Sequence, residues 1–217
     1  MIIGSLLGLL LTLSVSSADV INSIDRVEML REQKLAGYTV TEKYRVTNTH
    51  FQTPAEMVVQ TVYKRGEGKT YTIQSRSGPE FLQTRILDRI LASEREMSRG
   101  NTRANALMTS ANYDVEVVGR ETIEGRDCQV VNLKPKAKST FLIRGKAWLD
   151  AKSFILVRLE GKPTASPSFF AGSPMIVREY DEIDGFAVAR QSRARTESFL
   201  LGKTEILIQY SDYYLQD

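Results

Sequence analysis

Few residues in this chain have the type and spacing for covalent chemistry. There is one histidine, His50, and one cysteine, Cys128. A Ser-His-Asp site would have to use His50, which falls in a polar stretch between strand-like runs, and no G-x-S-x-G nucleophile elbow accompanies it. One His and one Cys do not build a zinc site of the usual nitrogen and sulfur type. Cys128 lies in the strand-like run RDCQVVNL and reads as a small, half-buried apolar residue. Asp181, Glu182 and Asp184 form an acidic group, but they coincide with a turn, where acids are favoured for local hydrogen bonding. A glycosidase-like carboxylate pair is therefore the minor reading. Gly68-Lys69-Thr70 echoes the end of a phosphate-binding loop. Tyr63, however, stands where the pattern needs its first glycine, and a hairpin follows rather than a helix. No catalytic residue, metal site or cofactor is assigned, and the chain is not read as an enzyme.

The balance of charge narrows the partners. The net charge is +3 over 217 residues, with 25% charged residues of both signs interspersed. No dense basic stripe of the kind that marks a nucleic-acid reader is present. Arg193 and Arg195 share a strand face and Arg190 points the other way, which reads as a solvated strand. The lone cysteine excludes an internal disulfide. Residues Ile2 to Val15 are almost wholly apolar and Ser16-Ser17-Ala18 follows, so residues 1–18 read as a secretory signal peptide and residues 19–217 as the mature domain. No cysteine follows the leader, so no lipid attachment is expected there.

Periodicity supplies the elements that must position any site. Ile21, Ile24, Val27 and Leu30 recur at helical spacing, predicting a helix from about Asn22 to Ala36 with Gly37 as its stop. YTVTEKYRVTN then alternates, with Tyr38, Val40, Tyr44 and Val46 on one face. Glu42 interrupts that face, which places it near a sheet edge or in a cavity. EMVVQTVYKR and KTYTIQSRS flank Gly66-Glu67-Gly68 as a hairpin. Pro79 opens a second helix whose apolar face carries Leu82, Ile86, Leu87, Ile90 and Leu91, and which Gly100 closes. Asn101 to Met108 reads as a short third helix. Strands follow at Tyr113–Glu121, Arg126–Pro135, Phe141–Asp150, Phe154–Gly161, Pro174–Glu182, Phe186–Phe199 and Lys203–Tyr214. This pattern predicts an α+β fold: one curved antiparallel sheet of about ten strands, an incomplete barrel, with two or three helices over its concave side. The hairpin within Gly145 to Phe170 is expected near the middle of the sheet. The proline-bearing loop after it ends in Phe169 and Phe170, which either plug the sheet or gate an apolar cavity.

The second half carries a resemblance. ANYDVEVVGRETIEGRDCQVVNLKPK, then GKAWLDAKSFILVRLEGKPTASPSFF, then TEILIQYSDYYL resemble the outer-membrane lipoprotein-sorting (LolA-like) superfamily. The paired features are Gly125–Cys128 with Leu133–Lys136, and Gly145–Asp150. The resemblance implies an incomplete barrel whose apolar interior holds lipoprotein acyl chains or other lipids in the periplasm. It implies lipid or lipoprotein cargo, an inner-membrane donor and an outer-membrane acceptor, a monomer, and no nucleic acid. The cavity contacts expected are Tyr38, Val40, Tyr44, Leu87, Ile90, Leu91, Trp148, Phe169, Phe170 and Ile206. Trp148 shares a face with Leu142, Arg144, Lys146 and Asp150, so a surface or lid position competes for it. The alternative function is an envelope regulatory or scaffolding protein that recognises a protein partner through the same surface.

Overall fold

Alternation drives most of this chain into a single sheet. In β1 (Gly37–Asn48), Val40, Glu42, Tyr44 and Val46 are buried while Lys43, Arg45 and Thr47 are exposed. In β2 (Ala55–Lys64), every second residue from Ala55 to Tyr63 is buried. A computed structural model describes residues 15–167, 172–198 and 202–216. The further strands are β3 (Gly68–Ser77), β4 (Tyr113–Ile123), β5 (Arg126–Pro135), β6 (Ile143–Asp150), β7 (Leu156–Pro163), β8 (Met175–Ile183), β9 (Phe186–Ser198) and β10 (Gly202–Gln216). They form one antiparallel sheet of ten strands in the order β3-β2-β1-β10-β9-β8-β7-β6-β5-β4. The sheet curves without closing, because its edge strands β3 and β4 do not pair.

The pairing of first and last strands corrects one expectation. β10 returns to lie against β1, from Gly37 opposite Gln216 to Asn48 opposite Thr204. This join places β9 and β8 at the centre of the sheet and moves the β6–β7 hairpin toward the β4 edge. Chain order alone could not reveal it, since the first three strands continue the sheet beyond the last one.

Helices fill the gap between the sheet edges. α1 (Ser17–Lys34) starts earlier than its apolar spacing predicts. The Ser16 hydroxyl accepts from the Asp19 amide at 3.2 Å and caps it, satisfying a donor the helix leaves free. The Ser17 hydroxyl accepts from the Val117 amide at 3.0 Å and fixes this end on β4. The helix stops at an extended Leu35, and Gly37 is already strand. The start of the expected leader, residues 1–14, lies outside the described residues.

Between β3 and β4 the chain runs through α2 (Glu80–Leu82), a π turn (Gln83–Leu87), α3 (Asp88–Met97) and α4 (Gly100–Ala104). Pro79 caps this segment rather than occupying its first turn, and the segment ends at Met97, ahead of Gly100. The π turn brings Ile86 and Leu87 inward together with Ile90 and Leu91. Among the described residues no helix is long and apolar enough to cross a membrane.

Two core clusters result. Under α3, Tyr44, Val46, Met57, Val59, Leu87, Ile206 and Ile208 pack together. Under α1, Val20 and Ile24 pack on Tyr113, Leu133, Leu142 and Leu149. Space remains between the two clusters.

Candidate functional site

That space is a cavity of about 370 Å³ on the concave side of the sheet. Ile24 and Val27 of α1 and Ile90 and Met97 of α3 form its roof. Leu133, Ile143, Leu156, Leu159, Ile176, Val188, Ala194, Ile206 and Ile208 form apolar parts of its walls. Its size falls at the lower end of the roughly 300–1,000 Å³ typical of small-ligand sites. The connection between β5 and β6 contributes Thr140 and Phe141, and Pro167 comes from the connection between β7 and β8.

The apolar wall is interrupted by a polar cluster near β1, β3 and β8. Glu94 of α3 accepts from Lys69 Nζ at 2.8 Å and lies 3.6 Å from an Arg178 guanidinium nitrogen. Burial by itself would raise the Glu94 carboxyl, but Lys69 and Arg178 outweigh it and hold the group below its usual value. Burial likewise works against the charge on Lys69, and Glu94 reverses that, leaving its pKa well above normal. Arg178 Nε also donates to the Ser192 hydroxyl at 3.5 Å. Glu42, 1% exposed, accepts a short hydrogen bond from the Tyr44 phenol. Burial, with the nearby Glu42 carboxyl as a second cause, pushes the Tyr44 phenol upward. A ring of tyrosines completes this end: Tyr38 stacks on Tyr63 at 5.1 Å and meets Tyr213 at 6.0 Å, while the Tyr213 phenol donates to the Ala189 carbonyl at 2.8 Å. Lys69, Glu94 and Arg178 thus compensate one another, as the low-dielectric interior requires, whereas Glu42 is held by the Tyr44 phenol and its Oε1 has no hydrogen-bond partner among the described residues. The arrangement can enclose an apolar chain and place polar groups beside one end of it.

Residues 26–201 match a family model described as "Domain of unknown function (DUF4412)". The chain belongs to the DUF4412 family. Comparison with curated proteins gives no match. Among solved structures, a LolA superfamily protein from Nitrosomonas europaea is 15% identical with a TM-score of 0.52, covering 94% of this chain and 95% of that one. A putative outer membrane lipoprotein-sorting protein domain from Vibrio parahaemolyticus is 11% identical with a TM-score of 0.54, covering 92% and 93%. A DUF1329 family protein from Desulfovibrio piger is 10% identical with a TM-score of 0.52, covering 94% of each chain. The fold of this DUF4412 chain is LolA-like, an open sheet crossed by helices.

The residues expected at the site separate into four groups. Tyr38, Ile90 and Ile206 line the cavity. Tyr44, Leu87 and Leu91 lie in the core cluster beneath α3, and Val40 is buried in β1 without reaching the cavity wall. Trp148 requires a correction. It packs with Cys128, Val130 and Val157 in a separate cluster, and its indole Nε1 donates to Glu121 at 2.8 Å. Cross-strand pairing of Trp148 with Val130 puts it on the convex face, where Arg158 covers its ring at 5.3 Å. Phe169 and Phe170 lie outside the described residues.

Sequence periodicity missed Lys69, Glu94, Arg178, Tyr180 and Tyr213 of the DUF4412 cavity. Tyr210 and Tyr213 both line it, although their odd spacing predicts opposite faces. A bulge opposite Thr39–Thr41, with Asp212 at φ 57°, reverses the alternation between them. The acidic turn resolves into structure: Glu182 pairs with Arg126 at 2.5 Å, and Asp181 lies 3.8 Å from Arg190. Arg193 and Arg195 both reach Glu205. Cys128 is fully buried, and burial pushes its thiol up.

Proposed function

We propose that this chain is a periplasmic carrier that shields the acyl chain of a lipid or lipoprotein in the cavity between sheet and helices. The observation that carries this reading is the cavity itself, enclosed by α1, α3 and the concave sheet, with an apolar wall and polar groups gathered toward one end. Each methylene moved from water into such a wall gains about 0.8 kcal/mol. A short acyl segment therefore supplies useful affinity without any covalent step. Glu94 serves as a paired anchor in the cavity, engaged by both Lys69 and Arg178. The apolar run Ile2 to Val15, ahead of the Ser16 cap of α1, supports the assignment to the periplasm, and the LolA-like fold supports the assignment to lipid handling.

In a carrier, cargo enters where the roof can separate from the sheet. The roof elements α3 and α4 lie within the connection between the unpaired edges β3 and β4, so they can move without breaking a strand pair. Titration with a fluorescent fatty acid tests the reading. Saturable binding that is lost when Ala194, on the cavity wall, becomes Trp is the expected result. Binding that is absent, or indifferent to this substitution, would remove the cavity as the site.

A further inference from the structure

A second feature lies outside the cavity. The ends of β5, β6, β7 and β8 enclose an open groove of about 770 Å³. Its charged lining is Lys136, Lys138, Arg144, Lys146, Lys162 and Glu160. Lys136 is engaged by Asp114 at 3.3 Å and Glu160 by Arg158 at 2.8 Å. The other four cations have no ion pair among the described residues, whereas Lys134 and Arg158, on neighbouring strand positions, each have one.

The register makes this placement unfavourable for the fold alone. Arg144 of β6 stands directly opposite Lys162 of β7, with Gly145 opposite Gly161 beside them. Like charges directly opposed across antiparallel strands are destabilising. Neither glycine can be exchanged for a larger residue: a Cβ on Gly145 would overlap the Glu160 carbonyl, and one on Gly161 the Arg144 carbonyl. The two strands are thus held close with Arg144 facing Lys162, while the next pair on that face sets Lys146 opposite Glu160, itself engaged by Arg158. An external anion offsets such an arrangement.

The groove and the cavity share one end of the sheet. The segment after β5 gives Lys136, Ala137 and Lys138 to the groove and Thr140 and Phe141 to the cavity. The segment after β7 gives Thr164 to the groove and Pro167 to the cavity. Met175, 40% exposed, adds an apolar side chain at the groove.

We infer that this groove docks the protein on an anionic membrane surface, with the phosphates of lipid headgroups meeting Lys138, Arg144, Lys146 and Lys162 beside the cavity rim. The inference rests on the carrier reading, because an acyl chain passing between bilayer and cavity needs the rim held at the headgroups. Membrane phosphate is favoured over an acidic protein because the four cations surround an open groove in which Met175 is the one large exposed apolar side chain among the described residues, whereas protein interfaces have apolar cores depleted of charge. Each Lys or Arg near an anionic bilayer strengthens association about fivefold, and salt weakens it.

Co-sedimentation of the full mature chain with phosphatidylglycerol/phosphatidylcholine vesicles, against phosphatidylcholine alone, tests this. The wild type is expected to prefer anionic vesicles, and Arg144→Gln with Lys162→Gln to weaken that binding roughly 25-fold. The same double variant should melt no lower than the wild type, since it removes an opposed pair of like charges, and should still bind the fluorescent fatty acid. Equal vesicle binding by both proteins, or no preference for anionic vesicles, would overturn the inference. Displacement from vesicles by millimolar inorganic phosphate would overturn it in favour of a free-phosphate site. Displacement by soluble polyglutamate at matched charge and ionic strength would overturn it in favour of an acidic protein. Loss of fatty-acid binding with vesicle binding intact would count against the carrier reading alone.

Discussion

Lys69 of β3 reaches Glu94 of α3 at 2.8 Å, with their side chains only 12% and 14% exposed. This pair ties the roof of the cavity to one edge of the open sheet, and Arg178 of β8 approaches the same carboxylate from the opposite wall at 3.6 Å. Removing one partner of a buried ion pair leaves uncompensated charge and typically destabilises by about 3–5 kcal/mol. Glu94→Gln strands two cations and is expected to lose stability on that scale in urea denaturation. A loss below about 1 kcal/mol, the range of exposed pairs, would show that the roof is held by apolar contacts alone.

The same carboxylate predicts acid sensitivity. Its folded pKa lies below the ordinary 4.5, so the unfolded chain binds its proton first as the pH falls. The stabilisation is fully present above 4.5 and fades below it, as the pH passes through the depressed folded value. Thermal melting of the wild type from pH 6 downward should show a decline beginning near pH 4.5. The difference between wild type and Glu94→Gln should narrow across that window.

Filling the cavity should separate binding from folding. Ala189 and Ala194 both line it. Ala189→Phe or Ala194→Trp is expected to reduce fatty-acid affinity at least tenfold while changing stability by no more than the roughly 1–3 kcal/mol of overpacking. Titration and urea denaturation of the same preparations check both parts.

Leu87 predicts the opposite separation. It is fully buried in the π turn, beneath the roof. Leu87→Ala is expected to lose about 2–5 kcal/mol. At temperatures where the variant remains folded, its acyl affinity should stay within a few-fold of the wild type, because Leu87 does not reach the cavity wall.

The single tryptophan gives a spectroscopic check. Trp148 sits on the convex face, engaged by Glu121 and covered by Arg158. Saturating the cavity with an unlabelled fatty acid should leave its emission maximum unchanged. A shift would place the ligand, or a coupled rearrangement, on the other side of the sheet.

Much of this architecture was legible in the sequence, for reasons that also mark where legibility ended. Alternation in stretches such as Tyr38–Val46 follows from burying one face of a strand, so the ten strands and their approximate limits could be read directly. The position of the β6–β7 hairpin could not, because it depends on β10 finding β1 rather than on any local signal. Within the site, Tyr38, Ile90 and Ile206 follow from periodicity. Glu42 announced itself as a carboxyl on an apolar face, and it lies in the cavity. Lys69 and Arg178 gave no comparable signal, since each finds its counter-charge on α3, far away in the chain. Trp148 was misplaced because apolar character does not distinguish a buried concave position from a buried convex one, and its neighbours Arg144, Lys146 and Asp150 were the better guide.

The central claim, that the cavity holds an acyl chain, is tested most directly by native mass spectrometry of the mature protein isolated from its own cell envelope. The account predicts a lipid or acylated adduct of defined stoichiometry, absent from the cavity-filled Ala194→Trp variant prepared in the same way. An adduct-free wild type, under conditions that preserve the adduct on a known lipid carrier, would contradict it.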